Sequence, residues 1–139
     1  MADAIQIAGK AGQKIVVVDD EPSMCAMVAG MLEEAGYAAA VTTDSRTAVD
    51  LVRREKPVLV LVDISMPHMD GYALMEALQA DPDTRGCPVM FITGNLAFSQ
   101  RMQAFQRGVR DYVAKPFTAE KLLAKIARVL SDLEAKVPS

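Results

Sequence analysis

Val58-Leu59-Val60-Leu61-Val62 ends on Asp63 and continues through Ile64-Ser65-Met66-Pro67-His68-Met69-Asp70-Gly71. An uninterrupted apolar run of this length, rich in β-branched residues, reads as a strand covered on both faces. That is the pattern of a central strand in a parallel sheet. The choice of fold narrows at once, because parallel strands need crossover helices and those helices must cover both sides of the sheet. Asp63 stands where the strand ends. In open α/β sheets ligands bind beyond the carboxyl ends of the strands, so this carboxylate is placed at the functional edge. Pro67 and Gly71 make the following stretch a loop that leads into the next helix.

A second run, Lys14-Ile15-Val16-Val17-Val18, also ends in acid, at Asp19-Asp20. Parallel strands bring such ends to one edge, so three carboxylates are expected to converge there. At about 4 Å and an effective dielectric of about 20, each like-charged pair costs roughly 4 kcal/mol. Such a cluster calls for a cation or a raised pKa. Hard oxygen ligands with no His or Cys among them favour Mg2+.

Two later strands, Pro88–Thr93 and Asp111–Ala114, add a hydroxyl and, at Lys115, an ammonium to that edge. A metal, a nucleophilic carboxylate, a hydroxyl and a lysine together suit a phosphoryl group, with Lys115 neutralising its oxygens and Thr93 donating to one of them. Taken singly these residues have plainer readings. Asp19-Asp20 fits a solvated strand end, Thr93 a helix cap and Lys115 a surface lysine. His68, the one histidine, is expected to be solvated and inessential. Asp70 is expected to cap a helix, and Glu21 to sit at a helix N-terminus.

The segments Val18-Asp19-Asp20-Glu21-Pro22, Asp63 to Gly71, Thr93-Gly94 and Gly108-Val109-Arg110-Asp111-Tyr112-Val113-Ala114-Lys115-Pro116-Phe117 stand in one order and spacing. From about Lys14 to Leu133 the chain resembles the receiver domain of bacterial two-component response regulators. The resemblance implies that Asp63 is the phosphoacceptor and that Asp19 and Asp20 hold Mg2+ together with Asp63 and the backbone carbonyl of Ser65. It also makes Thr93 and Lys115 the ligands of the phosphoryl oxygens, Thr93 and Tyr112 the switch pair, and Lys115-Pro116 a cis peptide that aims the ammonium inward. Ser65 and Asn95 fall at two positions that vary across the family and influence dephosphorylation. Val109 stands where the family commonly has alanine.

The remaining pattern gives five strand–helix units. Pro22 opens a helix through Met24, Met27, Val28, Met31, Leu32 and Ala35, with the methionines as core filler and Gly36 as its end. Tyr37–Thr42 is the second strand, followed by a helix capped at Asp44 or Ser45 and stopped by Lys56-Pro57. A third helix covers about Tyr72–Ala80. A fourth carries Leu96, Phe98, Met102 and Phe105, expected to face the core, and ends at Gly108. Thr118 caps a fifth through Leu122, Ile126, Val129 and Leu133. The expected fold is a flavodoxin-like, doubly wound five-stranded parallel sheet of order 2-1-3-4-5 with helices on both faces. Residues 1–13 are expected to form a flexible arm, 14–134 the receiver and 135–139 a tail.

With 139 residues and 51% hydrophobic content the chain suits one domain. A net charge of −3, from 18 acidic against 15 basic residues, gives no electrostatic case for direct nucleic-acid or membrane binding. Cys25 and Cys87 lack metal-type spacing and are expected to be free thiols in a cytoplasmic protein. No apolar run approaches the about 18 residues of a membrane span. The expected partners are a histidine kinase or histidine phosphotransfer protein, and a downstream protein or second copy that meets residues 96–134. The chain is expected to be a signalling module and not an enzyme. An aspartate-nucleophile phosphatase is disfavoured because Ser65 stands where such enzymes carry a second acid. A phosphorylation-independent module is disfavoured because it would have no chemical reason to keep Asp19, Asp20, Asp63, Thr93 and Lys115.

Overall fold

The computed structural model describes residues 12–64, 66, 68–94, 103 and 105–135. Their elements are β1 (Lys14–Val18), α1 (Pro22–Glu34), β2 (Ala38–Thr42), a 3-10 turn (Ser45–Thr47), α2 (Ala48–Glu55), β3 (Leu59–Asp63), α3 (Gly71–Ala80), β4 (Val89–Thr93), β5 (Asp111–Ala114) and α4 (Ala119–Ala135). All strands pair in parallel, in the order β2-β1-β3-β4-β5. The expected order is therefore observed.

The apolar runs are continuous because successive side chains enter different cores. Val16, Val18, Val60, Val62 and Phe91 pack with Leu51 of α2 and Leu74 and Leu78 of α3. Their neighbours Ile15, Val17, Leu59, Leu61, Met90 and Ile92 pack on the other side with Val28 and Leu32 of α1 and Leu122 and Ile126 of α4.

Element ends follow local chemistry. Asp44 caps the 3-10 turn through the Arg46 N–H, and Thr118 Oγ1 accepts from the Lys121 N–H at 3.1 Å. Lys56 closes α2 in the left-handed region at φ 50°. In α1 the buried stripe is Cys25, Val28 and Leu32, while Met27 is 43% exposed. The expectation that Met27 fills the core is corrected. Nearly every residue of this helix is apolar or small, so the pattern fits more than one face.

Of the fourth expected helix, residues 103, 105 and 106 are helical and the turn ends at Gly108, φ 107°. Leu96, Phe98 and Met102 lie outside the described residues, as do Ser65, Asn95, residues 1–11 of the expected arm and residues 136–139 of the tail. Phe105 is 45% exposed and meets the Tyr112 ring edge-on, with centroids 6.1 Å apart. It therefore faces the surface, not the core. Val109 is buried in the core beneath α3. Among the described residues no helix is long and apolar enough to cross a membrane.

Candidate functional site

Register places the site. Val18 of β1 pairs with Val62 of β3, so the next residues, Asp19 and Asp63, leave adjacent strands at the same level. Asp63 pairs with Ile92, and Thr93 pairs with Ala114, which brings Thr93 and Lys115 to the same edge. The Lys115 N–H donates to the Thr93 carbonyl at 2.7 Å, fixing where the lysine leaves β5. The Lys115-Pro116 peptide is cis.

One ligand oxygen from each of Asp19, Asp20 and Asp63 lies within 4.8 Å of the others. Asp19 is fully buried, Asp63 nearly so, and Asp20 half-buried. Lys115 Nζ lies 3.5 Å from Asp19 Oδ2, 3.5 Å from Asp63 Oδ2 and 3.7 Å from Glu21 Oε1. One ammonium thus faces three carboxylates, with Asp20 alongside.

Burial pushes the Asp19 pKa above the ordinary aspartate value. The Glu21 N–H and Lys115 oppose that rise, while the charges of Asp63 and Asp20 reinforce it. For Lys115 burial alone would lower the pKa, but Asp19, Asp63 and Glu21 outweigh it and hold the ammonium charged. Asp19 Oδ1 accepts from the Glu21 N–H at 3.0 Å. Its Oδ2 is buried and has no hydrogen-bond partner among the described residues; the lysine contact at 3.5 Å is an ion pair, too long for a good hydrogen bond. An excess of buried negative charge with an oxygen left over is a cradle suited to a hard divalent cation.

The loop after Asp63 turns back on itself. The Gly71 N–H donates to the Ile64 carbonyl at 2.8 Å, and Asp70 caps α3 through the Ala73 N–H at 2.9 Å, as expected. A Cβ on Gly71 would stand 2.8 Å from Ile64 Cα and 3.1 Å from the Asp63 carbonyl. Close approach, and not the backbone freedom inferred from sequence, is what glycine supplies here. Gly71→Ala is expected to cost about 1–3 kcal/mol in a urea melt, as overpacking against backbone does. A loss well below that would mean that the loop relaxes freely.

Among the sequence candidates, Asp19, Asp20, Asp63, Thr93 and Lys115 meet at one edge, and Ser65 lies outside the described residues. Tyr112 is half-buried one strand over, with Phe105 at its edge and Lys125 Nζ 5.4 Å from its ring centre. His68 is exposed with a left-handed backbone, φ 70°. Glu21 was expected to serve the helix N-terminus. It occupies the N-cap position of α1, but its side chain caps nothing and turns to Lys115 instead. The run of three acids was the available signal for a third carboxylate at the lysine.

Fold and site together define a class: a flavodoxin-like α/β domain with an acid-and-lysine cluster over its first and third strand ends. The model of the response regulator receiver domain matches residues 15–127, and the chain belongs to that family of two-component signalling domains. It is 34% identical over 118 residues to protein PilH of Pseudomonas aeruginosa, covering 85% of this chain and 98% of that protein. The fold is similar to that of the chemotaxis protein CheY4 of Vibrio cholerae, at TM-score 0.80 and 27% identity, covering 86% of this chain and 99% of that one. It is also similar to the receiver domain of the sensor histidine kinase PA1611 from Pseudomonas aeruginosa, at TM-score 0.77 and 30% identity, covering 87% and 99%. That structure is described with a magnesium ion coordinated in its active-site cleft. The chain spans about half the length of several curated relatives named as transcriptional regulators.

Proposed function

We propose that this receiver is controlled by phosphorylation of Asp63. A carboxylate oxygen of Asp63 attacks the phosphorus of a phosphohistidine on a histidine kinase or phosphotransfer protein. The N–P bond breaks, its electron pair stays on the histidine, and an acyl phosphate forms on Asp63. Water later attacks the phosphorus and releases phosphate, restoring the carboxylate. The domain acts on itself alone in both steps, and we class it as a signalling module without an external substrate.

The observation that carries this reading is the convergence of Asp19, Asp20 and Asp63 within 4.8 Å beside the single ammonium of Lys115. Asp19, Asp20 and Asp63, with the backbone carbonyl of Ser65, would hold Mg2+. When bound, that ion supplies positive charge to the phosphoryl oxygens. Lys115 ion-pairs with another of those oxygens, and the buried Thr93 hydroxyl donates to a third. Lys115 is 20% exposed at its side chain, which leaves it close to the site mouth and ready to exchange carboxylate partners for a phosphoryl group.

The phosphoryl group can bias a conformational equilibrium only through differential contacts, and Thr93 and Lys115 provide them. Tyr112, flanked by Phe105 and Lys125, carries the change to a protein-binding face within residues 96–134. A protein partner or a second copy reads it. The net charge of −3 disfavours direct nucleic-acid binding by these residues.

Intact mass after incubation with acetyl phosphate and Mg2+ tests the proposal. One phosphoryl adduct is expected on the parent and none on Asp63→Asn. An adduct that persists in Asp63→Asn would reassign the acceptor, and none on folded parent under varied donor and metal conditions would end the reading.

A further inference from the structure

Cys25 lies in the first turns of α1, 2% exposed, directly beneath the acid cluster. Its Sγ stands 3.2 Å from the Asp19 carbonyl oxygen and 3.8 Å from that of Thr42. These carbonyls end β1 and β2, and the Asp19 N–H itself donates to Thr42 O at 3.2 Å. The Asp19 peptide groups are thus tied to β2 on one side and to α1 on the other. The nearer carbonyl takes the thiol proton.

The carbonyl that the thiol holds belongs to the peptide joining Asp19 to Asp20. That peptide is planar and rigid, so its orientation sets the relative aim of the two acid side chains. Asp19 Oδ1 is fixed separately by the Glu21 N–H at 3.0 Å, while Oδ2 has no hydrogen-bond partner among the described residues. The Cys25 N–H donates to Glu21 O at 3.1 Å, so the same residue also secures the far side of this turn. A magnesium site demands near-ideal octahedral geometry, and groups that orient its ligands influence affinity.

We propose that Cys25 is a positioning residue of the metal site: its thiol holds the Asp19-Asp20 peptide in the orientation that lets both carboxylates address one cation. This rests on the magnesium reading above. The plain competing role is core filling, since Cys25 also packs with Val28, Leu32 and Ile15.

Alanine and serine at position 25 open nearly the same void and differ in the donor, which separates the two roles. The test is titration of MgCl2 into the full-length parent, Cys25→Ser and Cys25→Ala, read by calorimetry, with urea melts of each in EDTA. Cys25→Ala is expected to weaken Mg2+ binding by about threefold to tenfold, the factor that an ordinary net hydrogen bond represents. Cys25→Ser, which keeps a donor, is expected to stay within about twofold of the parent, a factor smaller than the loss of one such bond. If Cys25→Ala does not fold, Cys25→Val, which fills the space without a donor, replaces it with the same expectation. Equal affinities for all variants, or equal losses for alanine and serine, would overturn the proposal and leave Cys25 as packing. A parent that binds no Mg2+ would defeat the metal reading itself and this inference with it.

Discussion

Lys115→Met is expected to destabilise the protein in EDTA by about 3 kcal/mol at pH 8, and by clearly less at pH 5. The Lys115 ammonium lies 3.5 Å from both Asp19 Oδ2 and Asp63 Oδ2, and no other described cation is paired with either. Removing one partner of a buried ion pair leaves charge without compensation, at about 3–5 kcal/mol, and the partial exposure of the lysine puts this case at the low end. The pH dependence has a definite sign. Burial already raises the Asp19 pKa above its model value of 3.8, and losing Lys115 raises it further. The native variant then holds more protons than the unfolded chain between the unfolded and folded pKa values. Its stability therefore falls as pH rises through that window and is restored as Asp19 takes up its proton below it. Urea melts at the two pH values decide the matter, and equal deficits at both would show that the lysine contributes packing and not charge.

Mg2+ at about a hundred times its dissociation constant is expected to add roughly 2.7 kcal/mol to the stability of the parent by mass action. Asp20→Asn is expected to abolish that increment. In EDTA the same variant should be as stable as the parent or more so, because the Asp20 charge is one of those that push the Asp19 pKa upward. Opposite responses in the two conditions would mark a carboxylate retained for binding at a cost to the metal-free fold. A melting curve indifferent to Mg2+ at every concentration would remove the metal site.

These expectations concern residues legible from the chain itself. Asp19, Asp20, Asp63 and Lys115 announce themselves because each follows an apolar run, and a parallel sheet can only collect such ends on one edge. Asp70 and Thr118 were legible as caps for a similar reason, since a short acceptor side chain before a helical pattern has one local use. Glu21 was misread by the same local logic. Its N-terminal position suggested a cap, but the opposite charge that draws it is 94 residues away in sequence, on Lys115. Phe105 was placed in the core because apolar residues recur there at helical spacing, a pattern that does not tell a buried face from one lying against a neighbouring ring.

The sequence by itself determined the number and order of the units, the parallel sheet and the edge on which the acids and lysine meet, because apolar runs, breakers and handed crossovers permit little else. Only the tertiary structure decided which face of α1 turns inward. That helix is apolar or small over most of its surface, so the choice between Cys25 and Met27 fell to the shape of the sheet beneath it. The structure also decided that Gly71 is needed for a close approach to Ile64. No property of the glycine or its neighbours in sequence carries that distance, which exists only once β3 and α3 have packed.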